Sequence, residues 1–290
     1  MDKPDEIRKS VADTYAAVVT QGTGCCGGTE PKGVAAKFAG YGTEETSNVP
    51  ADAVQNSFGC GNPLAFSEVR EGDVVVDLGS GAGLDLLIAA RKVGPTGRVI
   101  GVDMTDEMIA RARENAARAG FSNVEVRKGI IEDLPVESGS ADWVISNCVI
   151  NLSPEKPKVF SEIARVLKPG GRMLVSDIVA RDLPAWVRQD AAVYASCIGG
   201  AISEEEYLAG LHRAGLVDAE VRGRIAYDAP QIVAIVQSDQ KEGGATSCGC
   251  GPIPASEAHR DLIEKVKQDF ARAVEGKAWS VSIHARKPPA

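Results

Sequence analysis

Sulfur is the chemistry most available to this chain. It carries seven cysteines and three histidines, His212, His259 and His284. A metal or metalloid held by its side chains would be met by thiolates, which select soft centres. The cysteines are unevenly spread. Cys25 and Cys26 are adjacent in a glycine-rich stretch, Cys60, Cys148 and Cys197 stand alone, and Cys248-Gly249-Cys250 closes the set. Seven is odd, and a reducing compartment disfavours a structural disulfide framework. A lone Cys is commonly a small buried hydrophobe. Three of them around one cleft would instead make a soft three-coordinate site, whereas zinc asks for a fourth ligand in a tetrahedron.

A second constellation is Asp77-Leu78-Gly79-Ser80-Gly81-Ala82-Gly83. Its glycines permit a tight turn and a close approach of backbone to a ligand. In a doubly wound sheet such a turn lies at the carboxyl ends of the strands, where ligands bind. Asp103 ends the next apolar run, and a carboxylate there can accept from two ribose hydroxyls. Together these predict nucleoside binding; the competing reading is a plain tight corner. The dinucleotide fingerprint needs its third glycine one position later. Asp77 would be awkward beside a pyrophosphate and suits a cationic amino-acid moiety, which favours S-adenosylmethionine over NAD.

The elements that must position these residues alternate. Ile7, Val11, Tyr15, Val18 and Val19 recur at helical spacing over 5–19. The stretch QGTGCCGGTEPKG reads as a loop, and 50–58 as a short helix ended by Gly59-Cys60-Gly61-Asn62-Pro63. From Asp73 strands (VVVDLG, RVIGVDM, VEVRKG, ADWVISNCVI, RMLVSDIV) alternate with helices (LDLLIAARKVG, DEMIARARENAARAG, and one over roughly 156–168). Thr105 is a candidate N-cap, and Ser203 with Glu206 a capping box. This succession predicts an α/β fold with a parallel sheet covered by helices on both faces. VDAEVRGRIAY and WSVSIHARK read as strands, PQIVAIVQ as strand or helix, 238–256 as a glycine-rich loop and 256–274 as an amphipathic helix. The expected organisation is an N-terminal helical extension with a cysteine loop (1–70), a core (71–182) and a C-terminal α+β cap (183–290). Cys148 then ends the fourth strand on the ligand edge, Cys60 precedes the core, and Cys197 lies in the cap. Trp143 reads as core.

Bulk properties narrow the classes. The 290 residues carry 32 Lys and Arg against 40 Asp and Glu, a net charge of −8, which argues against a phosphate-dominated nucleic-acid binder. The most apolar stretch, 74–90, is interrupted by Asp77 and Asp85, so no membrane partner is expected. The opening MDKPDEIRKS has no apolar run, which points to a cytoplasmic protein.

VVVDLGSGAG, GVDMT, GIIEDLP and LKPGGRMLVSD, over roughly 70–180, resemble the class I (Rossmann-like) S-adenosylmethionine-dependent methyltransferases. The resemblance implies that Asp77, Gly79, Ser80 and Gly81 hold the methionyl part and Asp103 the ribose. Met104, Ile131 and Glu132 flank the adenine, and Asn147 orients the strand end or the cofactor. Trivalent arsenic suits three thiolates and no histidine: it is pyramidal, and its lone pair can attack a sulfonium methyl without a general base. SFGCGNP, ISNCVINLSPEKPKVF and CIGGAISEEEY resemble the arsenite S-adenosylmethionine methyltransferases over roughly 5–225. That resemblance implies arsenic(III) ligation by Cys60, Cys148 and Cys197. It also implies thiol exchange at Cys25 or Cys26, trivalent arsenicals as thiol complexes for substrate, and glutathione or thioredoxin as reductant. Cys248 and Cys250 stay open as a metalloid-capturing pair, a redox pair or a passive feature. A small-molecule C- or O-methyltransferase, or a metalloid-binding protein that has kept the fold, would share many of these signals.

Overall fold

The computed structural model describes residues 4–20, 39–47, 49–65, 67–189, 194, 197–226 and 268–290. Cys25, Cys26, Cys248 and Cys250, the segment PQIVAIVQ, and most of the helix expected over 256–274 lie outside those residues; a helical stretch covers 268–274.

Seven strands form one sheet. They are β1 (Val74–Leu78), β2 (Arg98–Asp103), β3 (Val124–Lys128), β4 (Ala141–Asn147), β5 (Leu167–Ala180), β6 (Val217–Ala226) and β7 (Ala278–Arg286), in the order β3-β2-β1-β4-β5-β7-β6. The first five pair in parallel as expected. The last two strands, expected in the C-terminal α+β cap, extend this same sheet at one edge. β7 fills the slot between β5 and β6 and runs antiparallel to both, so the sheet is mixed. A single strand's residue pattern does not encode its direction, because inward and outward positions alternate either way.

The helices among the described residues are α1 (Pro4–Thr20), α2 (Thr43–Ser47), α3 (Ala51–Gln55), α4 (Leu84–Val93), α5 (Asp106–Arg118), α6 (Lys156–Val166), α7 (Ala185–Gln189) and α8 (Glu204–Arg213). None is long and apolar enough to cross a membrane. One apolar layer joins Val75, Val99 and Trp143 to Leu86 and Ile109 of α4 and α5. The other joins Val76, Val144 and Val175 to Val159 and Phe160 of α6 and Tyr207 and Leu211 of α8. Both faces of the parallel strands are thus covered, which is why those strands read as unbroken apolar runs. The Ser203–Glu206 capping box forms as expected, with bonds of 3.1 and 3.0 Å. Thr105 occupies the N-cap position of α5 without a side-chain cap bond.

The elements preceding β1 are tied down by α5. Arg111 donates to Asp52 on α3 and to the Val19 carbonyl at the end of α1, each at 2.5 Å. Buried Asn115 donates to Asp52 and to the Ala82 carbonyl, each at 3.0 Å. One helix therefore carries both the glycine turn and the N-terminal elements that roof it.

Gly210, buried in α8, tests the packing of α8 on α6. Helix propensity favours Gly210→Ala by about 1 kcal/mol. A Cβ there, however, would come within 2.5 Å of the Phe160 ring, and overpacking a core costs about 1–3 kcal/mol. The clash outweighs the propensity, so Gly210→Ala should lower stability in urea unfolding; an increase would show that α8 is free to shift.

Candidate active site

At the carboxyl ends of β1 and β2 the glycine turn opens into a cleft. Gly79, Gly81 and Gly83 all have positive φ (65°, 51° and 97°). A Cβ on Gly79 would lie 2.4 Å from Val149, so this turn demands glycine on two counts. Gly79 and Ser80 donate their N–H groups to the Val102 carbonyl at 2.7 and 3.1 Å. Asp103 accepts from Gly81 N and Thr105 N, both at 2.9 Å. It therefore shapes the turn while lining the cleft, together with Met104, Ile131 and Glu132.

Among the described residues, Asp77, Asp85 and Asp103 of this cleft have no ion-pair partner. Asp77 is buried, and its Oδ2 has no hydrogen-bond partner among the described residues. Burial pushes its carboxyl well above the usual range, and the charges of Asp85 and Asp103 push the same way. Asp85, buried on α4, is pushed up to about 6 by burial, opposed by hydrogen bonds from Tyr41 and Asn147. A cationic ligand group would relieve this crowding. The orphaned Asp77 oxygen thus fits the ammonium of an amino-acid moiety and would not fit a pyrophosphate. Glu132, by contrast, is already engaged. It accepts from Ser153 Oγ at 2.6 Å and from Arg8 Nε at 3.2 Å, and Arg8 also pairs with Glu155. Arg8 reaches over the cleft from α1, whose Val11 and Tyr15 also line it.

Asn147, at the end of β4, joins the cleft to the Cys60 loop. Its Nδ2 lies 2.6 Å from the Gly61 carbonyl, 2.8 Å from Tyr41 Oη and 3.0 Å from Asp85 Oδ2. Its Oδ1 accepts from Gly61 N at 3.2 Å. Tyr41 in turn donates to Asp85 at 2.6 Å. The amide thus takes both backbone groups of Gly61, as a neighbouring strand would. Cβ atoms on Gly59 and Gly61 would come within 2.2 Å of Asn147 and 2.6 Å of Ser176. The Gly-Cys-Gly run is therefore a close docking of backbone on the strand ends.

That docking puts Cys60 beside Cys148. The two form a disulfide with a Cα–Cα distance of 5.8 Å. The odd cysteine count and the reducing-compartment argument weigh against a structural disulfide framework; a single bond beside the cleft is a different object. Cys197 is a buried thiol whose Sγ lies 2.6 Å from the Cys148 carbonyl. All three sulfurs belong to one apolar cluster with Val11, Leu152, Ile178, Leu183, Val187 and Phe270. Cys148 and Cys197 adopt left-handed backbone, φ 61° and 66°. Such φ values are uncommon outside glycine and concentrate at functional sites.

Sequence reasoning missed four side chains here: Arg8, Tyr41, Asp85 and Asp177. Asp85 carried one signal, a charge on the buried face of an otherwise apolar helix. Asp177 follows β5's apolar run and is wholly buried, with a carboxylate oxygen within 4.8 Å of both Cys60 and Cys148 sulfurs. It accepts from Asn151 at 2.8 Å, Ile178 N at 3.0 Å and Tyr207 at 3.3 Å. Burial pushes it up to about 7, with Lys156 pulling the other way.

If Asn147 sets the Cys60–Cys148 approach, Asn147→Ala should cost about 2–3 kcal/mol through the orphaned buried partners. It should also slow re-oxidation of the reduced pair, followed by thiol titration. Wild-type re-oxidation would show that Gly61 docks without the amide.

Comparison with known proteins agrees with this geometry. Residues 70–215 match the family model described as a methyltransferase domain. The chain is 43% identical over 232 residues to the arsenite methyltransferase of Halobacterium salinarum, covering 75% of this chain and 59% of that protein. It is 41% identical over 209 residues to that of Aquipseudomonas alcaligenes, covering 69% and 58%. The chain thus spans less than two thirds of these curated relatives. The crystal structure of an arsenic(III) S-adenosylmethionine methyltransferase from Chlamydomonas reinhardtii superposes with a TM-score of 0.57 at 32% identity, covering 90% of this chain and 75% of that one. With the mixed seven-stranded sheet, the glycine turn and the methyltransferase match in agreement, the chain belongs to the arsenite S-adenosylmethionine methyltransferase family of class I methyltransferases.

Proposed function

We propose that this chain methylates trivalent arsenic with S-adenosylmethionine as donor: arsenite held by Cys60, Cys148 and Cys197, and its monomethyl form held by Cys148 and Cys197. The observation that carries the reading is the convergence of three cysteines, from the segment before β1, the end of β4 and the segment after α7. They form one apolar cluster against the acidic cleft. Bound S-adenosylmethionine supplies an electrophilic methyl group on a cationic sulfur. Asp77 and Asp85 take the ammonium of its amino-acid moiety, Gly79, Ser80 and Gly81 allow the close approach, and Asp103 accepts from the ribose. Met104 and Ile131 would flank the adenine, and Glu132, held by Ser153 and Arg8, would lie on the same wall. Asn147 acts by holding the strand end. The three thiolates fix arsenic, and proximity does the rest.

A closed Cys60–Cys148 bond cannot ligate. Two electrons and two protons from a pair of small thiols, or from a dithiol protein, open it and leave two cysteine thiols and one oxidised donor disulfide. Glutathione or thioredoxin would serve, and a reducing, cytoplasmic setting would supply either. The Cys25-Cys26 pair is assigned to this exchange, and Cys248 and Cys250 are a second candidate for capturing the metalloid.

The test is incubation of arsenite, thiol and labelled S-adenosylmethionine with wild type and single Cys→Ser variants. Wild type should yield labelled arsenicals. Cys148→Ser and Cys197→Ser should abolish the reaction, a hydroxyl being too hard for a soft centre. Cys60→Ser should fail on arsenite yet retain methylarsenite, which has only two positions left for thiolates. Near-normal arsenite methylation by Cys148→Ser would sink the arsenic reading in favour of a small-molecule methyltransferase.

A pH dependence follows from the acids. The Asp85 carboxyl sits near 6 in the free protein, and a bound ammonium favours its ionised form. Ionisation of Asp85 should contribute about tenfold in affinity between pH 5 and pH 7, lost as pH falls through 6, and Asp77, pushed well above the usual range, acts in the same direction. Calorimetry of S-adenosylmethionine binding at the two pH values checks this, and an unchanged affinity would remove Asp85 from the ammonium's surroundings.

A further inference from the structure

We propose that Asp177 stabilises the positive charge that develops on arsenic during methyl transfer, an inference that rests on the arsenic reading above. As the reaction proceeds, the arsenic lone pair forms the As–C bond. The carbon–sulfur bond of the donor breaks, and its electron pair stays on sulfur. No proton moves. Arsenic passes from a neutral tris-thiolate complex to a cation while the donor sulfur loses its charge. One unit of positive charge therefore moves from the cleft of Asp77, Asp85 and Asp103 to the cysteine cluster.

Asp177 is placed for that arrival. It lies in β5, near the middle of the sheet, wholly buried, with an oxygen within 4.8 Å of both sulfurs. Ile178 N, Asn151 and Tyr207 fix the carboxylate from three directions. It need not reorient when charge appears, and, wholly buried, it is little screened by solvent. Lys156 faces it from the start of α6, its ammonium held by the Asn151 and Ser153 carbonyls at 3.1 and 2.9 Å, and its charge favours the ionised carboxylate that burial opposes.

A scaffold role alone explains the position poorly. A buried carboxylate beside two thiols disfavours their thiolate forms, so a neutral side chain would suit an uncharged dithiol or disulfide better. The carboxylate interacts weakly with the neutral arsenic complex and strongly with the cationic one. It therefore acts on the transition state more than on binding.

The experiment is single-turnover methylation by reduced protein preloaded with arsenite, comparing wild type, Asp177→Asn, Asp177→Ser and Tyr207→Phe. Arsenite affinity by equilibrium dialysis and S-adenosylmethionine affinity by calorimetry are measured alongside. The two Asp177 variants should bind both ligands within about twofold of wild type but transfer the methyl group about ten to a hundred times more slowly. Two neutral replacements are used so that one unfolded variant leaves the other to decide. Tyr207→Phe, which keeps the charge and loses one hydrogen bond, should stay within about threefold of wild type. A wild-type rate in either folded Asp177 variant overturns the proposal. So does a parallel loss of arsenite affinity, or an equal slowing in Tyr207→Phe, since each would mark Asp177 as ligand or scaffold. If wild type itself forms no methylated arsenical, the arsenic reading and this one fall together.

Discussion

The side-chain amide of Asn147 is the contact on which the site depends. A disulfide needs its two Cα atoms within about 7 Å, and Cys60 stands 88 positions from Cys148 in sequence. Nothing local brings them together. The amide does so by taking the N–H and C=O of Gly61, imitating a strand where no strand continues. The same amide reaches Asp85 and Tyr41, so the cysteine loop and the acidic wall of the cleft share one anchor. Glycine on both sides of Cys60 is the steric condition, since any Cβ would collide with the amide or with Ser176.

Around that anchor the chain accepts unfavourable electrostatics. Asp77, Asp85 and Asp103 are buried within one cleft, and each is pushed upward by burial. Protonation or a bound cation can relieve such a cluster. Asp103 is eased by two backbone N–H groups and Asp85 by Tyr41 and Asn147, whereas the Asp77 Oδ2 atom has no such partner among the described residues. The part of the cleft left unsatisfied is the part nearest the glycine turn, where a ligand's charged end would sit. On the opposite side Glu132 is already satisfied by Ser153 and Arg8, so it shapes the wall and holds α1 in place.

Much of the frame was legible in the sequence because the parallel strands are buried on both faces and read as apolar runs between helices of regular period. The glycine turn was legible because positive φ leaves a residue-type signature. The direction of β7 was not, since alternation looks the same in either direction. Arg8 and Tyr41 were illegible for another reason: each meets its partner across a long separation, Arg8 to Glu132 over 124 positions and Tyr41 to Asp85 over 44. A surface Arg and a loop Tyr are unremarkable until the fold closes over them. Asp177 hid within an apolar strand, where a lone acid resembles an edge position. The cysteines were singled out correctly as a group, yet residue counting argued against the bond two of them form. Parity and compartment describe disulfide frameworks, not a pair brought together inside a cleft.

The backbone at the sulfurs shows what fixes their arrangement. Left-handed φ costs a non-glycine residue roughly 1–2 kcal/mol, and Cys148 and Cys197 both adopt it. At Cys148 the conformation turns the chain off the end of β4 while its N–H still donates to the Ser176 carbonyl of β5 at 2.8 Å. Cys148 thus leaves the strand with one foot still in the ladder, and its carbonyl is freed to meet the Cys197 sulfur. Cys197 is held in turn by its N–H on the Tyr194 carbonyl at 3.1 Å. Glycine would remove the strain at either position and with it the sulfur, so residue type and conformation are in direct conflict. The fold resolves that conflict with hydrogen bonds from two different segments. The sulfurs are thereby held at one set of coordinates at the expense of a relaxed chain.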